Sequence, residues 1–445
     1  MEINVPKWLK KLASGCGSPL YLVGGFVRNA LCSLPPSDVD IAGPAMPDEL
    51  VLPRGFYFAT TYKRMGTALI RHRWIDGAQA EYTPFRREKY APGGGHTPEE
   101  VTFGAALEED ALRRDFTANS IYYDIAEEKI IDPLGGAEDA ARRVLRAYDP
   151  DKVFSSDGLR LMRLARIAAE TGFDIEEKTA ETAKACAPLL ADITPGRKRD
   201  ELMKILMADV KYGVSGAHYR GLTLLRGLGL LKYIIPELDA LDGLAQPAKY
   251  HRYDALEHTF KVVENSPPSP TVRLAALLHD VGKAECVRRT GNMHGHDAVG
   301  AEMAAEIMGE RGMKFPSREI DRVTRLVRWH MYDKERRTRD GKMLLFAARN
   351  HDILSDLSSL MKADGLGKGT GEEPAPDRLE EFARRLADSG APLKVSDLRI
   401  SGADLRGIGY EGSGIKKKLE ELFAACVLDP ALNKHKKLMK LAKKE

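Results

Sequence analysis

The sequence predicts an α/β head followed by a long all-helical remainder, and three observations carry that expectation. Near the N-terminus the apolar triplet Tyr21-Leu22-Val23 runs into Gly24-Gly25 and a helix-like segment from Phe26 to Cys32, the pattern of a short buried strand, a turn and a helix. Between residues 56 and 84 short apolar and polar runs alternate, and WIDGAQAEYTPF reads as a hairpin around Asp76-Gly77. Beyond about residue 150 the apolar spacing becomes helical, as in LRLMRLARIAAE and LTLLRGLGLLKYIIPEL.

A chain of 445 residues exceeds what one hydrophobic core serves, so roughly two to four domains are expected. Charged residues at 30% and aromatics at 7% fit a soluble, helix-rich protein. No apolar run approaches the roughly 20 residues that span a bilayer, and MEINVPKWLKKL carries no signal-type apolar segment. A cytoplasmic protein with no membrane partner is therefore expected. Cys16, Cys32, Cys186, Cys286 and Cys426 show no paired spacing, which supports neither a disulfide framework nor a cysteine zinc site. With a net charge of only +3, a nucleic-acid surface has to be local. Lys416, Lys417, Lys418, Lys434, Lys436, Lys437, Lys440, Lys443 and Lys444 supply one such region, or simply a solvated helix face.

The head opens with a phosphate-binding pattern. Amides at the start of the helix after Gly24-Gly25 carry partial positive charge, and Arg28 adds a charged donor. In Asp38-Val39-Asp40, residues two apart on a strand share one face, so both carboxylates point the same way. Such a pair suits two metals about 3.5 to 4 Å apart, which activate a hydroxyl and neutralise a leaving pyrophosphate. GG-x-VR followed by DVD resembles the catalytic opening of the class II tRNA nucleotidyltransferase and bacterial poly(A) polymerase family. That resemblance implies a DNA polymerase β-like α/β nucleotidyltransferase head, with Gly24, Gly25 and Arg28 at the nucleotide and Asp38 and Asp40 as Mg ligands. The family usually has Asp after the arginine, where Asn29 stands here, which leaves the orientation of Arg28 open.

Glu81, on the second hairpin strand, is a candidate third carboxylate or an exposed strand residue. The Gly- and Pro-rich FRREKYAPGGGHTPEE reads as a mobile loop. A loop of this kind, here Arg86, Arg87 and Glu88, helps the family switch between nucleotides. RRDFTAN closely matches the family's second signature, RRDFTIN, which implies that Arg114, Asp115 and Asn119 bind triphosphate and ribose. IIDPLGGAEDAARRVLRA matches its linker motif, with Asp132 and Gly135-Gly136, and closes a catalytic head at 1–147.

A helix is expected from about Ser156, with Ser155 or Ser156 as N-cap and Asp157 in the first turn. Asp157 and Arg160, three residues apart, then share one face. A carboxylate beside a guanidinium matches the amino donor and ring acceptor that cytosine and adenine both present, and mispairs with uracil and guanine. The family's fourth signature, EDxxR followed by LRxxRF, stands here as Ser156, Asp157, Arg160, Arg163 and Arg166, with Ile167 for the phenylalanine. Ser156 replaces a glutamate and removes a charge that orients an arginine. Arg163 and Arg166 extend the face toward phosphates, or solvate the helix. ITPGRKRDELMKILM resembles the family's ERIRDELMKIL element, with Thr194 capping, Pro195 first in the helix, Gly196 in place of Glu, and Arg197 and Glu201 as orienting groups. Residues 148–245 form the expected helical neck and RNA-binding region.

At Lys249 the composition changes. EHTF, LLHDVGK and KADGLGK place His258 on one helix, His279-Asp280 on the next and Asp364 after further helices, matching the metal quartet of the HD phosphohydrolase family. Nitrogen and carboxylate ligands suit Mn, Ni, Fe, Co or Mg. His296 and His330 are candidate ligands of a second metal, and Lys283 is a candidate phosphate contact. This HD domain is expected at 246–370. A Pro-Gly-acid linker opens the tail at 371–445, whose SGADL and glycine-rich turns precede a basic helix; in the family this part holds the tRNA.

The resemblance spans almost the whole chain. It implies template-independent addition of C and A to the 3′ end of tRNA from CTP and ATP, with an HD phosphohydrolase acting on terminal or 2′,3′-cyclic phosphates of tRNA ends. A poly(A) polymerase and an enzyme adding only CC or only A share the same signatures. A reading of another class makes HD hydrolysis the main activity.

Overall fold

The computed structural model describes residues 3–62, 64–90, 98–371 and 378–443. Residues 91–97 of the expected loop, 372–377 of the acidic linker and Lys444 lie outside the described residues. The chain forms two compact units, residues 1–240 with 312–314 and residues 241–311 with 315–445.

The first unit is built on strands β1 (Tyr21–Val23), β2 (Asp40–Gly43), β3 (Phe56–Tyr62), β4 (Thr67–His72), β5 (Gln79–Pro84), β6 (Arg86–Lys89), β7 (Glu100–Phe103), β8 (Tyr122–Asp124) and β9 (Lys129–Ile131). Seven of them make one mixed sheet in the order β3-β4-β5-β2-β1-β8-β9. The hairpin around Asp76-Gly77 is present, with β4 and β5 antiparallel. β2 pairs antiparallel with β1 and parallel with β5, a register that sets Asp40 beside both Val23 and Glu81. Beneath the sheet, Val23, Ala42, Phe85, Ala111 and Tyr122 pack as one buried cluster.

The segment expected as a mobile loop begins instead as a strand. β6 pairs with β7 in a separate two-stranded sheet. The buried Arg86 fixes it, donating to Glu88 Oε1 at 2.7 Å and to the Met65 carbonyl at 2.7 Å.

The single helix expected from Ser156 is two. One ends at Ser156, Asp157 is extended at φ −151° and ψ 104°, and the next runs Leu159–Thr171. Gly158 makes the break possible, because a Cβ there would lie 2.8 Å from the Leu189 carbonyl oxygen. Leu161, Met162, Leu164, Ala165, Ala168 and Ala169 are all fully buried, so this helix is the core of the neck rather than a surface element.

In the second unit the helices Ala255–Glu264, Pro270–Leu278, Gly282–Thr290, His296–Met308, Ser317–Trp329 and Leu354–Gly367 gather around one polar centre. Gly282 lets two of them close up: a Cβ there would stand 2.4 Å from the His296 carbonyl oxygen. The tail follows as Gly402–Arg406, Ser413–Leu428 and His435–Ala442. No helix among the described residues is long and apolar enough to cross a membrane.

Candidate active site and metal centre

Asp40 is the first residue of β2, whereas the exposed Asp38 precedes the strand. The two therefore do not share a strand face as the spacing suggested; Asp40 finds its strand neighbour in Glu81 instead. Burial, with Glu81 and Asp38 nearby, pushes the Asp40 carboxyl up to about 6, against the opposing pull of Arg114 and Arg163. The half-buried Asp40 between the exposed Asp38 and Glu81 offers carboxylate oxygens of the kind that suit a divalent cation. Gly24, at φ 75°, sits against this group, and a Cβ on it would approach Asp40 Oδ2 to 3.1 Å. A Cβ on Gly25 would meet Ser37 Oγ at 2.8 Å.

The buried Arg28 begins a relay of side chains. Asn29 Oδ1 accepts from Arg28 Nε at 3.0 Å and Nη2 at 2.8 Å, so the residue standing for the family's aspartate still orients the guanidinium. Arg28 Nη1 donates to Asn119 Oδ1, and Asn119 Nδ2 donates to Asp115 Oδ1 at 3.0 Å. Asp115 Oδ2 accepts from Arg163 Nε at 3.0 Å and also from Nη2. Burial would raise the Asp115 carboxyl, but Arg163, Asn119 and Arg160 hold it well below the usual carboxylate range.

Arg114 is gripped by a residue that sequence reasoning passed over. Asp110 is fully buried and accepts from Arg113 Nε at 2.7 Å, Arg114 Nη2 at 3.0 Å and the Tyr122 hydroxyl at 2.6 Å. The signal was available, since an acid three and four residues ahead of two arginines is a helical ion-pair pattern.

Asp157 and Arg160 lie in the same region but do not pair with each other. Asp157 Oδ2 accepts from Arg197 Nη2 at 3.1 Å, and its Oδ1 caps the Leu159 amide at 3.0 Å. Arg160 donates to the Arg113 carbonyl at 2.7 Å, to Ser156 Oγ at 3.0 Å and to the Val153 carbonyl at 3.3 Å. Ser156 thus keeps an orienting contact without the charge of a glutamate. Arg166 departs from its expected role at phosphates or in solvation. It is buried between Glu170 at 2.9 Å and Glu201 at 2.6 Å, where both carboxylates consume its charge inside the neck.

In the second unit His258, His279 and Asp364 offer ligand atoms within 4.8 Å of one another, and so do Asp280, His296 and His330. Asp280 joins the two groups: Oδ2 lies 3.1 Å from His279 Nε2 and 3.4 Å from His258 Nε2, and Oδ1 lies 3.3 Å from His296 Nε2 and 4.0 Å from His330 Nε2. His279, His296 and His330 each place Nδ1 on a backbone carbonyl at 2.7 to 2.9 Å. An Nδ1–H donating there leaves every Nε2 as a bare lone pair aimed inward. The Nε2 atoms of His258 and His279 are 3.4 Å apart, and those of His296 and His330 are 3.3 Å apart. For His296 and His330 two lone pairs cannot bond each other, so that pair fits a cation between them; His258 Nε2 lies 3.2 Å from Asp364 Oδ1, and with His279 these residues offer the second group of ligand atoms. Lys283, expected at a phosphate, is buried and committed to Gln246 Oε1 at 2.6 Å and to Asp280.

Comparison with known proteins agrees with this architecture. Residues 20–146 match the family model described as Poly A polymerase head domain, 172–242 the one described as probable RNA and SrmB-binding site of polymerase A, and 256–389 the HD domain. The chain is 35% identical over 299 residues to an A-adding tRNA nucleotidyltransferase of Deinococcus radiodurans, covering 63% of this chain and 64% of that protein, just under two thirds of its length. It is 35% identical over 374 residues to a Multifunctional CCA protein of Azoarcus sp. (strain BH72), covering 82% of this chain and 81% of that protein. The crystal structure of the Bacillus stearothermophilus CCA-adding enzyme in complex with CTP superposes with a TM-score of 0.66 at 26% identity, over 96% of this chain and 93% of that one. With a polymerase-type head, an RNA-binding neck and an HD domain in this order, the chain belongs to the family of CCA-adding tRNA nucleotidyltransferases.

Proposed function

We propose that this enzyme adds C and A to the 3′ end of tRNA from CTP and ATP without a nucleic-acid template. The observation that carries the reading is the relay from Arg28 through Asn119 and Asp115 to Arg163, which ties the glycine turn beside Asp40 to the helix bearing Arg160. Mg held by Asp38 and Asp40 supplies activation of the terminal 3′ hydroxyl and neutralisation of the departing pyrophosphate. Arg28, Arg114 and Asn119 hold the triphosphate and ribose, with Asp115 fixing their geometry. Asp157, steadied by Arg197, accepts from the exocyclic amino group of C or A, and Arg160, steadied by Arg113 and Ser156, donates to the ring nitrogen. Residues 1–147 form the catalytic head, 148–245 the neck, 246–370 the HD domain and 371–445 the tail. In the tail, His435, Lys436, Lys440 and Lys443 line an open cleft of about 580 Å³ that suits the tRNA backbone.

Extension of tRNAs ending before CCA, after C and after CC, with each NTP alone and together, tests this at single-nucleotide resolution. A clean stop after CCA with UTP and GTP refused is the expected result. Addition of A alone, the activity in the name of the Deinococcus relative, or a long tail would reassign the chain to the corresponding branch.

The paired histidine–aspartate clusters favour a second activity. The HD centre is a phosphohydrolase for phosphate esters at tRNA ends: His258, His279, Asp280 and Asp364 would hold a divalent cation (Mn, Ni, Co, Fe or Mg), with His296 and His330 as candidate ligands of a second, and the bound metal would supply an activated water. Water attacks phosphorus and the ribose hydroxyl leaves with a proton. His279→Ala abolishes release of phosphate from a 3′-phosphorylated RNA while leaving nucleotide addition intact; loss of addition instead would refute separate sites.

A further inference from the structure

The segment just after His330 has no role in either activity so far, yet it is firmly built. Asp333 and Arg336 hold left-handed backbone at φ 55° and 57°, which non-glycine residues keep only when their surroundings enforce it. The enforcement comes from Asp333, which accepts from the Thr338 amide at 2.8 Å and from Arg378 Nη1 at 2.7 Å. Arg378 Nη2 also donates to the Thr338 carbonyl at 3.0 Å. The Tyr332 ring stacks on Phe346 with centroids 3.7 Å apart, anchoring the start of the loop.

On this frame Lys334, Arg337, Arg339 and Lys342 line an open cleft of about 760 Å³. Its acids are already engaged: Asp333 by Arg378, and Glu335 by Arg337 at 3.1 Å in an exposed pair. The cleft reaches the HD centre, because Lys334 Nζ lies 3.7 Å from Oδ2 of the candidate ligand Asp364.

We propose that this cleft binds the phosphodiester backbone of a single-stranded RNA 3′ end whose terminal phosphate enters the HD centre. The proposal rests on the phosphohydrolase reading of that centre and adds the surface that holds the RNA beside it. One cation beside the metals serves the scissile phosphate, and Lys334 is placed for it. Arg337, Arg339 and Lys342 lie beyond that position along the chain and the cleft wall, where a mononucleotide has no phosphate to offer and a polynucleotide has several. Arginine is suited to phosphate by its bidentate fork.

The test uses the full chain and its double variant Arg337→Glu/Arg339→Glu, both residues being exposed and outside the Asp333–Thr338–Arg378 frame, with Arg337 exchanging its solvent-exposed pair with Glu335 for a phosphate. The probes are a 3′-phosphorylated pentanucleotide and a 3′-mononucleotide. Two quantities are read: phosphate release with added Mn, and metal-free binding of the labelled pentanucleotide across a salt series. In the variant, kcat/KM on the pentanucleotide falls at least tenfold more than on the mononucleotide. The salt slope of binding shrinks by about 1.4, the value for two lost single-strand phosphate contacts. Equal losses on both substrates, or an unchanged salt slope, overturn the proposal. If wild-type protein releases no phosphate while the slope still shrinks, the RNA cleft stands and the phosphohydrolase reading fails.

Discussion

Asn29 Oδ1 accepts two hydrogen bonds from the Arg28 guanidinium, at 3.0 and 2.8 Å, with both residues buried. A neutral acceptor orients Arg28 without neutralising it, and leaves its charge for a triphosphate. Asn29→Ala strands two charged donors away from water, a loss of roughly 1.5 to 3 kcal/mol. A lower melting temperature together with a raised KM for both CTP and ATP is expected. Asn29→Asp, which restores the family's usual residue, keeps the fold and nucleotide addition near wild type; thermal melts and steady-state kinetics on the two variants check both statements.

Asp40 gives a pH signature with a definite sign. Its folded value of about 6 exceeds its ordinary value of 3.8, so the fold favours the protonated form. That contribution is complete below about pH 4 and is lost as pH rises through about 6. Metal-free Asp40→Asn therefore melts above wild type at about pH 8, and the gap closes toward pH 4. Added Mg reverses the order by stabilising wild type alone. A metal-free variant that melts below wild type at the higher pH would contradict the raised Asp40 carboxyl.

Asp115 titrates the other way. Its depressed carboxyl stabilises the fold above its ordinary value of 3.8, and that contribution is lost as pH falls through the lower folded value. Asp115→Asn costs about 2 to 3 kcal/mol near neutral pH, discounted for the partial exposure of Arg163. Denaturant melts of the two proteins, clearly separated at pH 7, draw together in strong acid.

Arg197→Ala removes the partner that holds Asp157 at 3.1 Å. Discrimination of CTP and ATP against UTP and GTP drops by roughly tenfold or more, the scale of one charged hydrogen bond, while pyrophosphate release from the correct nucleotides continues. Competition assays with mixed NTPs read this ratio directly; unchanged selectivity would mean that Asp157 needs no support from Arg197.

At the HD centre, Asp280→Ala empties both metal positions and His296→Ala only one. Elemental analysis after dialysis against Mn is expected to give about two ions for wild type, about one for His296→Ala and close to none for Asp280→Ala. A single ion in wild type would refute the shared carboxylate.

Local chemistry was legible and distant chemistry was not. The Gly24-Gly25 turn, the Asp76-Gly77 hairpin and the clustering of His258, His279, Asp280 and Asp364 follow from short patterns. By contrast, Asp157 meets Arg197 across 40 residues and Arg160 meets the Arg113 carbonyl across 47, and no local periodicity encodes either. The break at Gly158 was hidden because the obstacle is the Leu189 carbonyl, a neighbour only in three dimensions. Strand pairing likewise turned Arg86 from a loop residue into a buried one.

The parallel register of β2 and β5 sets Asp40 against Glu81 with about forty residues of connecting chain between them. Insertions in the loops of that connection, before β3 or at the Asp76-Gly77 hairpin turn, leave the two carboxylates adjacent, because the pairing of β2 with β5 does not depend on their length. Loss of a single residue within β5 is another matter: alternate side chains face opposite sides of a strand, and the slip would turn Glu81 to the far side of the sheet. The site thus tolerates variation by whole loops and forbids it by single steps.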